Sequence, residues 1–186
     1  MSKIPEILKY NEAFVANRDY EQYLTDRFPE KKMVIVTCMD TRLVELLPRA
    51  MNLRNGDAKI IKNAGAIITA PFGNIMRSIL VAIYELKAVE VIVVGHHECG
   101  MTGLNSEEII GKMKAAGIDQ CVFDTLKHSG LELNRWLTGF DSVRESVINS
   151  VNIVRNHPLL PKDVIVNGMI IHPETGKLEL VTDGID

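Results

Sequence analysis

The chain has no apolar run approaching the ~18 residues needed to cross a bilayer, and "MSKIPEILKY" is not a charged-then-apolar leader. The expectation is a cytoplasmic protein with no membrane partner. It has only three cysteines and no Cys-x-x-Cys pair, which argues against a disulfide framework and a thiol-redox motif. It also lacks long blocks of one charge. A net charge of −3 without a basic stripe speaks against a nucleic-acid surface, although a local site can still take an anion. Internal repeats and low-complexity linkers are absent too.

What remains is an ordinary globular composition, 46% hydrophobic, which at 186 residues buries a normal core without staples. We expect one domain over 1–186, with 1–30 as an N-terminal helical arm and 31–186 as an α/β core. In the arm, Ile7, Leu8, Phe14, Val15, Tyr20, Tyr23 and Leu24 fall at helical spacing. "MVIVTC" (33–38) and "AKIIKN" (58–63) read as strands, the stretch between them, with Pro48, as irregular. Residues 73–87 read as a helix and "VEVIVVG" (89–95) as a third, fully apolar strand. Residues 105–155 are mostly helical, with Ser106 as an N-cap. "DVIVNGMIIHPETGKLELV" closes the chain as a strand or a hairpin turning at "ETGK". Strands alternating with helices predict an α/β fold, a central and mainly parallel sheet flanked by helices.

In such a sheet, ligands bind beyond the carboxyl ends of the strands. Cys38 ends the first strand and "GHHECGM" (95–101) ends the third, so neighbouring strands would bring Cys38, His96 and Cys99 together. Two thiolates and an imidazole suit tetrahedral Zn²⁺. Gly95 and Gly100 bracket the turn, where a side chain would obstruct close backbone approach. Asp40, two residues after Cys38, lies on the same side of an extended segment and competes for the fourth position. Arg42 can hold that carboxylate in bidentate fashion instead. Asp40 on the metal closes the site; Asp40 on Arg42 leaves it open to water. His97 offers an alternative ligand or a proton shuttle. Cys121 reads as helix packing, and His157 and His172 as loop residues. Trp136 reads as core or interface.

These residues resemble the β-class carbonic anhydrases, which carry Cys-x-Asp-x-Arg after the first strand and His-x-x-Cys after the third. "KNAGA" (62–66) is similar to the family's Arg-Asn-Ala-Gly segment, with Lys62 in place of Arg, and the likeness spans roughly 33–103. The resemblance implies a Zn²⁺ site of Cys38, His96 and Cys99, joined by Asp40 in the closed state, with Asp40 and Arg42 as the catalytic pair. It implies a homodimer or higher even oligomer embraced by the N-terminal helices. The implied reaction is reversible hydration of CO₂ to bicarbonate and a proton by zinc-bound hydroxide. Zinc with imidazole ligands lowers the pKa of water from about 15.7 to roughly 7; two thiolates should hold it higher, so activity should rise with pH. A related branch hydrolyses CS₂ or COS on the same site, and a zinc protein silenced by Asp40 is the third possibility.

Overall fold

A computed structural model describes residues 2–184 of the chain. Its centre is a five-stranded sheet in the order β2-β1-β3-β4-β5. The strands are β1 (Met33–Cys38), β2 (Ala58–Asn63), β3 (Glu90–His96), β4 (Ile165–Ile171) and β5 (Leu178–Thr182). The first four pair in parallel, and β5 returns antiparallel to β4. The α/β, mainly parallel architecture expected from the sequence is therefore the one observed, and β4 and β5 form a hairpin.

β1 and β3 lie at the centre and are apolar because both faces are covered. Along them the side chains alternate between two cores. Val34, Val36, Val91 and Val93 meet α3 (Asn74–Tyr84) and α7 (Val143–Arg155), through Met76, Ile79, Val147, Val151 and Val154. Ile35, Ile92 and Val94 meet α2 (Leu43–Ala50) through Leu43 and Leu47. Burying each of these side chains contributes about 1.5–3 kcal/mol. Gly95 lets α7 lie against β3: a Cβ there would stand 2.8 Å from methyl groups of Val143 and Val147.

α2 corrects the irregular reading of the Pro48 stretch. Pro48 sits inside the helix and forfeits one backbone hydrogen bond, but the burial of Leu43 and Leu47 holds the turn. α3 stops at Tyr84 rather than 87, and Lys87 has a left-handed φ of 61° that no helix continues through. The helix at 106 starts differently from the expectation. Asn105, not Ser106, is the N-cap of α4 (Ser106–Ala115), its side chain accepting from the Glu107 N–H. α5 (Gln120–His128) and α6 (Leu133–Leu137) complete the helical segment, with Cys121 exposed rather than packed and Trp136 exposed rather than in the core of the chain.

At the other end, α1 (Ile4–Ala16) buries no residue, and Ile4, Ile7, Leu8 and Val15 are all exposed. No helix among the described residues is long and apolar enough to cross a membrane.

Candidate metal centre

The adjacency of β1 and β3 decides the site. Their parallel pairing puts the carboxyl ends of both strands at one edge, so Cys38 and His96 emerge together. The chain then turns through 97–99 and returns Cys99 to the same point. The ligand atoms of Cys38, His96 and Cys99 all lie within 4.8 Å of one another, and all three residues are buried. The two Sγ atoms are 3.9 Å apart.

His96 is set up as a donor to something between the thiols. Its Nδ1–H donates to the carbonyl oxygen of His97 at 2.7 Å, which leaves the Nε2 lone pair free. That Nε2 is buried with no hydrogen-bond partner. An orphaned, fully buried nitrogen is costly unless something fills the position. Two thiols and an imidazole nitrogen converging on one point fit a tetrahedral, borderline-soft divalent ion such as Zn²⁺.

The thiols are differentiated. Burial pushes the Cys38 thiol up, but the neighbouring His96 ring and the backbone N–H groups of Gly65 and Asp40 outweigh it, and the net shift is down. The Gly65 N–H lies 3.3 Å from Cys38 Sγ. Gly65 takes φ +76°, and a Cβ there would press on Ile67 and Met101 at 3.0 Å. Burial raises Cys99, and the neighbouring Cys38 raises it further.

Asp40 stands at the edge of the cluster, its Oδ2 3.7 Å from His96 Nε2. Both carboxylate oxygens are held by Arg42: Nε donates to Oδ1 at 3.1 Å and Nη2 to Oδ2 at 2.9 Å. The Arg42 backbone N–H also donates to Oδ1 at 2.9 Å. These side-chain hydrogen bonds, the largest cause, hold Asp40 down to about 2. Asp40 is therefore a carboxylate at any working pH.

All five site residues singled out in the sequence are thus placed in one cluster. His97 is not part of it. Its Nε2 faces Glu179 at 3.7 Å and its ring packs against His172, away from the thiols. Gly100 does not match its expected role, since a Cβ there would meet nothing within 4 Å. His157, read as a loop residue, is buried and accepts the Leu159 N–H while bonding the Pro71 carbonyl. Two contributors were missed by the sequence reading. The Gly65 N–H on Cys38 carried no side-chain signal. Glu98 touches Arg42, and its only signal was an acid between His96 and Cys99.

A family model described as carbonic anhydrase matches residues 33–178. The Bacillus subtilis (strain 168) protein named "Putative carbonic anhydrase YvdA" is 60% identical over 186 residues, covering 100% of this chain and 94% of that protein. The crystal structure of β-carbonic anhydrase isoform I (TvaCA1) from Trichomonas vaginalis superimposes with a TM-score of 0.89 at 35% identity, covering 99% of this chain and 100% of that one. A carbon disulfide hydrolase from Acidithiobacillus thiooxidans is 33% identical over 158 residues, covering 80% of this chain and 76% of that protein.

Proposed function

Because this chain belongs to the β-carbonic anhydrase family, we propose that it converts CO₂ and water reversibly to bicarbonate and a proton, with Zn²⁺ held by Cys38, His96 and Cys99. The observation that carries this reading is the orphaned His96 Nε2, which faces two buried thiols beside an Arg-held carboxylate. When bound, zinc supplies a Lewis acid that makes water nucleophilic near neutral pH.

The chain's own residues do the rest. Cys38, already shifted toward the thiolate, gives up its proton first, and the Gly65 N–H supports its charge. The His97 carbonyl fixes the His96 tautomer. Asp40 is the permanent acceptor that orients the attacking water, and Arg42 fixes its direction. Gly65 brings backbone close to Cys38 with Ile67 and Met101 beside it, an apolar wall that suits a small uncharged substrate. Capture of both Asp40 oxygens by Arg42 supports an open site over one silenced by Asp40.

The carbon disulfide hydrolase likeness supports a second reading, in which CS₂ or COS is the substrate of the same site. Higher identity to the relative named as a carbonic anhydrase favours CO₂. The exposed apolar stripe of α1 supports a homodimer, or a higher even oligomer built from it, with that arm on the partner. We place the protein in the cytoplasm, acting on a small molecule and not on nucleic acid.

Stopped-flow CO₂ hydration, with zinc content measured on the same sample, tests the proposal. Zinc-loaded protein that leaves the hydration rate at the buffer value overturns it. Sulfide released from CS₂ by that inactive sample moves the assignment to the second reading.

A further inference from the structure

Arg42 does more than hold Asp40. Its Nη1 donates to Glu98 Oε2 at 3.2 Å and its Nη2 to the Glu98 carbonyl oxygen at 3.1 Å. With the two bonds to Asp40, the guanidinium commits donors on both of its working edges, Nε and Nη2 toward Asp40, Nη1 and Nη2 toward Glu98. The two carboxylates do not compete for the same N–H groups. Glu98 lies in the turn between His96 and Cys99, and its φ of +55° is in the left-handed region that non-glycine residues seldom occupy. Arg42 therefore ties the segment carrying Cys38 and Asp40 to the segment carrying His96 and Cys99.

We propose that Glu98 is a positioning residue: it holds the far edge of the Arg42 guanidinium, and so keeps Asp40 on Arg42 and off the fourth position of the metal. The inference rests on the zinc reading above. The reasoning is geometric. A guanidinium bonded along one edge swings about its own side chain, and the carboxylate swings with it. Fixed along two edges, it presents one direction to Asp40, 3.7 Å from His96 Nε2. Loss of the Glu98 side chain removes the Nη1 bond and leaves that edge held only by the residue-98 carbonyl on Nη2, so the Asp40–Arg42 pair is held less firmly and Asp40 gains access to the metal.

The test uses the full chain loaded with Co²⁺, whose visible spectrum reports its ligands, and azide as a probe of the fourth position. Azide must displace Asp40 wherever Asp40 occupies the metal. At one fixed pH, Glu98→Ala should weaken azide binding about threefold to fivefold, the range expected of a partly exposed ion pair. Removing a negative charge without moving Asp40 would tighten azide binding, so the direction separates positioning from simple electrostatics. In an Asp40→Asn background the weakening should disappear and give way to unchanged or tighter azide binding, because no carboxylate remains to swing and only the lost negative charge is felt. Glu98→Gly, which suits the φ of +55° and also removes the acceptor, carries the same expectation should the alanine variant not fold.

Unchanged or tighter azide binding in the Glu98 variants overturns the inference, as does an equal effect with and without Asp40. A wild-type chain that does not bind Co²⁺ through Cys38, His96 and Cys99 overturns the zinc reading itself, and this inference with it. A chain that binds Co²⁺ but shows no Glu98 effect leaves the zinc reading standing.

Discussion

His96 donates its Nδ1–H to the carbonyl oxygen of His97, the next residue along, and the 2.7 Å bond determines which nitrogen faces the thiols. The two histidines have separate roles for this reason. One supplies a ring nitrogen, and the other supplies only backbone. The His97 ring lies elsewhere, against His172 and Glu179.

That division predicts two opposite variants. His97→Ala keeps the carbonyl and should retain zinc at the wild-type stoichiometry. His96→Ala removes the ring donor and should lose metal affinity by about a hundredfold or more, beyond the 10–100-fold typical of losing a supporting residue. Metal analysis after gel filtration reads both, and zinc loss from the His97 variant would reverse the ligand assignment.

The rate of CO₂ hydration should rise between pH 7 and 9, because two thiolates make the bound metal a weaker Lewis acid than three imidazoles do. Asp40 does not supply that rise. Its pKa is lowered, to about 2, so it is ionised throughout and loses its charge only as pH falls toward that value. Asp40→Asn should cut turnover by about a hundredfold, comparable to losing a preorganised polar group, with zinc content unchanged. Stopped-flow rates across that pH range, on wild type and variant, provide the check. A wild-type rate that falls with pH contradicts the account.

Gly95→Ala should destabilise the fold by about 1–3 kcal/mol, the usual cost of overpacking a filled core. Its new Cβ would stand 2.8 Å from Val143 and Val147, so α7 must shift or the valines must leave their rotamers. Because Gly95 precedes His96, metal affinity should fall as well. Gly100→Ala, where nothing lies within 4 Å, should cost far less in the same urea titration.

Deletion of residues 1–17 should yield monomers, since α1 buries nothing of its own chain and exposes Ile4, Ile7, Leu8 and Val15. Multi-angle light scattering of the intact and truncated proteins measures this. A truncated chain of unchanged mass would show that the arm plays no part in assembly.

β1 was legible because a buried parallel strand leaves an unmistakable apolar trace, and both it and the half-exposed edge strand β2 have the bounds that "MVIVTC" and "AKIIKN" suggest. The ligand-type residues were legible because their spacing follows strand ends. α2 was not, since Pro48 reads locally as a breaker while the burial that rescues the helix is a long-range effect. The embedding of His157 was hidden for a similar reason, as its partner Pro71 is 86 residues away in the chain. Glu98 was hidden because its contact to Arg42 depends on a left-handed backbone angle that no side-chain pattern encodes.

By itself the amino-acid order determined the strand core, the donor types and the chemistry they can support, because hydrophobic period and ligand softness are properties of residues. Only the tertiary structure decided that β1 and β3 are neighbours, that His96 rather than His97 faces the thiols, and that Arg42 bridges both halves of the site. Those are statements of direction and distance, and they exist only once packing has fixed the backbone.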